Sequence, residues 1–157
     1  MKSTTDNPGV FIPPPLFYVI AFLLSLLLQK LIPINSAVFH STALKIAGIV
    51  IAGISLVFSV PALVRFVKTK NTVVTIRPAN SLQTAGIYSI TRNPMYLGLL
   101  LLYTGLALLT GNWWTLIVIP LLCLAVTQRI IKPEERYLSR AFGEPYQLYR
   151  DSVRRWI

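Results

Sequence analysis

Residues 93–128 contain no Asp, Glu, Lys or Arg. As a single helix rising 1.5 Å per residue they would extend about 54 Å, far beyond a hydrocarbon core of about 30 Å. Such a stretch has to cross a bilayer and come back. Thr110-Gly111-Asn112 is the turn-like point near its middle. Two more uncharged stretches, Asp6 to Lys30 and Lys45 to Arg65, each supply a further span. The expected fold is therefore all-α: a polytopic integral membrane protein with about four transmembrane helices, near 14–32, 44–66, 94–110 and 113–131. Residues 1–157 form a single domain on this reading. Composition agrees, with 54% hydrophobic and only 13% charged residues, against about 25% charged in a soluble domain. The bilayer itself is the first partner implied. One Cys (Cys123) and one His (His40) leave no disulfide framework and no His/Cys metal site, so no metal is expected.

The formal net charge of +10 would suggest nucleic acid if positions were ignored. Arg65, Lys68, Lys70, Arg77 and Arg92 crowd the second connection, and Arg129, Lys132, Arg136, Arg140, Arg150, Arg154 and Arg155 follow the fourth span. Most of the fifteen basic residues thus fall on one side of the membrane, which the positive-inside rule makes cytoplasmic. Both termini are then cytoplasmic. The charge reports topology, and no nucleic-acid partner is expected. Met1 to Pro15, with Pro13-Pro14-Pro15 and no small-residue cleavage site, carries no evident signal peptide.

Local features refine this picture. Ala43/Ala47 and Gly48/Ala52 are small-xxx-small pairs that let a neighbouring helix approach the second span. Pro61 and Pro120 are expected to bend the second and fourth spans. Trp113 and Trp114 sit where the fourth span re-enters the membrane, as interfacial aromatics do. From Tyr146 onward, Tyr146, Tyr149, Val153 and Trp156 recur at helical spacing. They predict a cytoplasmic amphipathic C-terminal helix resting on the membrane surface.

Chemistry is expected at the basic end of the hairpin. There Arg92-Asn93-Pro94-Met95-Tyr96 comes near Arg129 and Glu134-Glu135, because both lie at the inner ends of adjacent antiparallel helices. Carboxylates attract an ammonium, helix N-terminal amides attract a carboxylate, and aromatic rings stack. The same residues have plainer readings. Asn93-Pro94 is an N-cap followed by Pro at the first helical position, with Arg92 snorkelling to the interface. Pro133-Glu134-Glu135 reads as a second helix start, with acids complementing its dipole. Asp151 is placed to pair with Arg155 four residues on. Cys123 reads as a packed small residue.

The pattern Gly86-x-Tyr88-(x)3-Arg92-Asn93-Pro94-x-Tyr96-x-Gly98, a helical hairpin, then Glu134-Glu135-(x)2-Leu138-(x)3-Phe142-Gly143-(x)2-Tyr146-(x)2-Tyr149 resembles the isoprenylcysteine carboxyl methyltransferase and phospholipid methyltransferase superfamily. The resemblance covers residues 80–156. It implies an integral membrane enzyme of the EC 2.1.1 class that uses S-adenosylmethionine in a cytosol-facing pocket. The methyl acceptor would be a lipophilic or lipidated carboxylate, amine or thiol, such as an isoprenylcysteine or a phospholipid-like substrate. It further implies that Leu82, Gln83, Tyr88, Asn93, Pro94, Met95 and Tyr96 line the cofactor, that Glu134 holds its amino group, and that Tyr146 and Tyr149 close the cap. Glu135 and Arg129 are then the residues nearest the reaction, with Glu135 the base for an amine acceptor. Many members carry His where this chain has Asn93. The prenylcysteine enzymes carry Arg four residues before the first Glu, where this chain has Ile130 and places Arg129 one residue out of register.

Two other classes fit the residues. An NADPH-dependent membrane reductase resembling the steroid reductases would use Arg77, Arg92 and Arg129 for the cofactor's extra phosphate. A non-catalytic membrane module would use Arg92 and the glutamates only to cap helices.

Overall fold

The computed structural model describes residues 9–10, 12–69, 79 and 81–157; Lys70 and Arg77 lie outside these. It has four long apolar helices and a short fifth, and the described residues contain no strand. Helix α1 is Pro14–Leu31, α2 is Thr42–Lys68, α3 is Pro94–Thr110, α4 is Trp113–Phe142 and α5 is Glu144–Ser152. Three of them, α1, α2 and α4, are long and apolar enough to cross a membrane. The 17 residues of α3 reach about 26 Å, close to the hydrocarbon thickness. This is a multi-pass membrane protein.

Its packing is that of a protein solvated by lipid. Leu23 and Leu27 of α1 and Ile49, Leu56 and Val57 of α2 are exposed, whereas small and polar residues fill the contacts between helices. Helices α2 and α3 run closest together. A Cβ on Gly105 would lie 2.7 Å from the Gly48 carbonyl oxygen and 2.9 Å from the Ala52 nitrogen, and one on Gly98 would collide with Ser59. Backbone meets backbone here, which only glycine permits. Of the small-residue pairs expected on the second span, Gly48/Ala52 makes this contact.

The hairpin turns where the uncharged stretch predicted. Gly111 closes α3 in the left-handed region (φ 65°), which a side chain would strain. Asn112 then starts α4: its side chain accepts from the Trp114 N–H and donates to the Ser25 carbonyl of α1 at 3.0 Å. The indoles of Trp113 and Trp114 donate to the carbonyls of Asn35 and Ile32, tying this turn to the α1–α2 connection. Tyr18 and Ser25 of α1 meet α3 at the Tyr96 carbonyl (3.1 Å) and the Tyr103 hydroxyl (3.4 Å).

Helix α4 departs from expectation at its far end. The sequence predicts a span ending near 131 and a new helix starting at Pro133, but the helix continues through a π-turn at Thr127–Ile131 into Lys132–Phe142. Lys132 N–H reaches back five residues to the Thr127 carbonyl. Pro133 supplies the reason: it has no N–H, and its ring would strike the carbonyl four residues earlier. Widening the preceding turn by one residue makes room without breaking the helix. The extra residue leaves Ile130 and Ile131 both fully buried and re-aims the final turns of α4. At 30 residues α4 is about 45 Å long. Lys132, Glu134, Glu135 and Arg136 lie in the turns that follow the π-turn.

The expected amphipathic C-terminal helix forms but is shorter than its spacing suggests. Helix α5 stops at Ser152, with Val153 extended, and its tyrosine face lies against protein. Tyr146 and Tyr149 pack with Tyr88 and Ala62, bordered by Phe66 and Met95. The final residues cross the start of α3, and Trp156 packs beside the cluster that holds Tyr96, Ile130 and Ile131.

Candidate active site at the basic end of the bundle

Tyr96, in the first turn of α3, donates its hydroxyl hydrogen to Glu134 Oε1 at 2.8 Å. This bond joins the two segments whose meeting the sequence predicted, and it depends on the π-turn that aims Glu134 inward. Glu134 is only partly exposed, and among the described residues no cation pairs with it. A carboxylate drawn out of water without a counter-ion is stabilised by any cation brought to it.

Glu135, the next residue, is committed differently. Both its oxygens accept from Arg155, Nε at 2.9 Å and Nη2 at 2.8 Å, and Arg92 Nη1 stands 3.4 Å away. Arg155 is thus not the partner of Asp151, which pairs with Arg150 at 3.7 Å and is largely exposed. The pairing expected from helical spacing fails because the helix has ended before residue 155. Asp151→Ala is therefore expected to leave the thermal midpoint unchanged, while Arg155→Ala lowers it; melting curves of both variants check this.

Asn93 also departs from its plain reading. Its side chain makes no cap and donates instead to the Arg155 carbonyl at 2.9 Å. Thr91 donates to the same oxygen, and Arg92 N–H bonds the Arg154 carbonyl at 3.0 Å. The terminal strap is thereby stitched to the lead-in of α3. Pro94 occupies the first helical position as expected.

The loop before α3 forms the adjoining wall. Gln83 is buried and accepts from Arg65 Nε at 2.7 Å. Tyr88 is buried, and its carbonyl accepts from the Tyr149 hydroxyl at 2.7 Å. Leu82 and Met95 border the Tyr88–Tyr146–Tyr149 cluster. The structure thus gathers Leu82, Gln83, Tyr88, Asn93, Pro94, Met95, Tyr96, Glu134 and Glu135 around the junction of α3, α4 and α5. Arg129 is exposed and lines a cleft of about 800 Å³ with Phe17, Leu121, Leu124 and Gln128. Arg65 and Arg155 went unnoticed in the sequence as site residues. For Arg65 the position at the end of an otherwise uncharged span was the available signal; nothing in the sequence pointed to Arg155.

The family model described as phospholipid methyltransferase matches residues 43–145. Over 72 residues the chain is 35% identical to the protein-S-isoprenylcysteine O-methyltransferase of Schizosaccharomyces pombe, a stretch that covers 46% of this chain and 30% of that protein. It is 38% identical over 63 residues to an uncharacterized protein of Haemophilus influenzae, covering 40% of this chain and 100% of that one. No solved structure matches it significantly.

Proposed function

Since the chain belongs to the phospholipid methyltransferase family, we propose that it is a membrane methyltransferase that transfers the methyl group of S-adenosylmethionine to a lipophilic acceptor at the junction of α3, α4 and α5. The observation that carries this reading is the Tyr96–Glu134 hydrogen bond, which puts a desolvated carboxylate beside the aromatic start of α3. The surrounding groups fit the donor's chemistry. Glu134 suits its ammonium, Tyr88 and Tyr96 offer faces for an adenine ring, and Leu82, Gln83, Asn93, Pro94 and Met95 complete the lining. Family membership favours this reading over the reductase and non-catalytic ones. The basic end of the bundle faces the cytoplasm on this proposal, with both termini on that side and the donor site within residues 80–156.

The bound donor supplies a methyl group on a sulfonium, already activated for in-line displacement. The protein's task is then alignment, and positioning of this kind is worth about 7–11 kcal/mol. Tyr146 and Tyr149, roofing the site from α5, exclude water from it. The cleft along Leu121, Leu124 and Gln128 takes the acceptor's hydrocarbon chain from the bilayer, and Arg129 meets its polar group. A carboxylate or thiolate acceptor needs no base; for an amine, Glu135 or a water molecule takes the proton.

Titrating detergent-purified protein with S-adenosylhomocysteine in a calorimeter tests the proposal. Saturable binding is expected. Absence of binding at ligand concentrations up to the millimolar range would refute it.

A further inference from the structure

The cluster around Glu135 holds one carboxylate and two guanidinium groups, and the second guanidinium is poorly served. Both Glu135 oxygens are taken by Arg155, leaving Arg92 the longer 3.4 Å approach. The Arg92 side chain is only 11% exposed, yet its Nε and Nη1 have no hydrogen-bond acceptor among the described residues. A guanidinium stays charged and carries five donors in a rigid fork, and leaving buried donors unmet costs stability. Its position says what those donors can reach. Arg92 lies in the lead-in to α3, immediately before Asn93–Tyr96; it is close enough to the Tyr146 hydroxyl to bond it and pairs with Glu135, the neighbour of Glu134 on α4. One side of the site therefore offers a cationic fork with two unbonded donors and, one residue along α4 from its partner Glu135, a carboxylate that no cation pairs with among the described residues. That pair matches a zwitterion. A lone carboxylate or a lone ammonium would satisfy half of it.

We propose that Arg92 binds the α-carboxylate of the methyl donor's amino-acid end while Glu134 takes the ammonium. This rests on the donor reading above and adds a specificity-determining residue to it. The competing anchor is the start of α3. Pro94 has no N–H and the Leu97 N–H is already bonded to Asn93, so only the amides of Met95 and Tyr96 remain there for a carboxylate.

The test uses three ligands on the detergent-purified full chain, with affinity read by calorimetry. They are S-adenosylhomocysteine, its decarboxylated analogue and 5′-methylthioadenosine, which lacks the amino-acid end altogether. The wild type is expected to favour S-adenosylhomocysteine over the decarboxylated analogue by about tenfold to a hundredfold, as one charge-assisted contact provides. Arg92→Met should erase that preference and leave methylthioadenosine binding intact, which also certifies the variant as folded. Arg92→Lys, which keeps a charge opposite Glu135 but loses the fork, should retain part of the preference and stands in if Arg92→Met does not fold. The proposal is overturned if the wild type does not discriminate the first two ligands. It is equally overturned if Arg92→Met preserves the preference, as the helix amides would, or weakens all three ligands alike. Failure of the wild type to bind any of the three would instead refute the donor reading beneath it.

Discussion

Glu134→Gln is expected to abolish measurable methyl transfer and to weaken S-adenosylhomocysteine about tenfold to a hundredfold, while raising the melting temperature of the ligand-free protein at pH 8. The two effects have opposite signs for one reason. Among the described residues no cation pairs with this partly exposed carboxylate, and a charge drawn out of water without a partner costs stability; removing the charge relieves that cost. The glutamine oxygen still accepts from Tyr96, so the hydrogen bond at 2.8 Å survives and no buried hydroxyl is stranded. What is lost is the attraction for an ammonium, worth about 1.5–3 kcal/mol for a charge-assisted bond. A carboxylate that served only to cap a helix would behave the other way, with a lower melting temperature and unchanged ligand affinity. Parallel melting curves and calorimetry on this one variant separate the two outcomes.

Gly105→Leu is expected to remove the folded protein from detergent extracts. The contact at this position is backbone against backbone: a Cβ there meets the Gly48 carbonyl oxygen at 2.7 Å and the Ala52 nitrogen at 2.9 Å. Overpacking that flexible side chains can absorb costs about 1–3 kcal/mol, but neither of these atoms can rotate away. Helices α2 and α3 must separate, and the α3 start that carries Asn93 and Tyr96 moves with them. Gly53→Ala is the control, because nothing lies within 4 Å of a Cβ there and alanine is the better helix former. Its melting temperature should match or exceed the wild type. Size-exclusion profiles and melting curves of the two variants decide the matter, and a monodisperse, normally melting Gly105→Leu would disprove the packing account.

Much of this molecule was legible in its residues because the bilayer simplifies the problem. Every backbone polar group in hydrocarbon has to be bonded internally, so long uncharged stretches become helices whatever their neighbours do. The hairpin at Gly111-Asn112, the spans Pro14–Leu31 and Pro94–Thr110, and the meeting of Tyr96 with Glu134 all follow from charge placement and turn chemistry. Where the reading failed, it had carried a local rule past the point at which tertiary contacts intervene. Asn93 is a good cap by type, yet the Arg155 carbonyl arrives to claim its amide. Asp151 and Arg155 have helical spacing but no helix between them. Pro133 looks like a beginning, yet the preceding turn widens to let the helix pass.

The sequence by itself determined the class, the apolar helices and which of their ends meet, since burial of apolar residues in lipid depends on composition along the chain and little else. Only the tertiary structure decided how the charges are shared. Whether a glutamate is paired or waiting depends on which guanidinium lies within about 3 Å of it. Here a one-residue π-turn in α4 and a strap returning from beyond α5 give both Glu135 oxygens to Arg155, leaving Arg92 with two unbonded donors and Glu134 with no cation among the described residues.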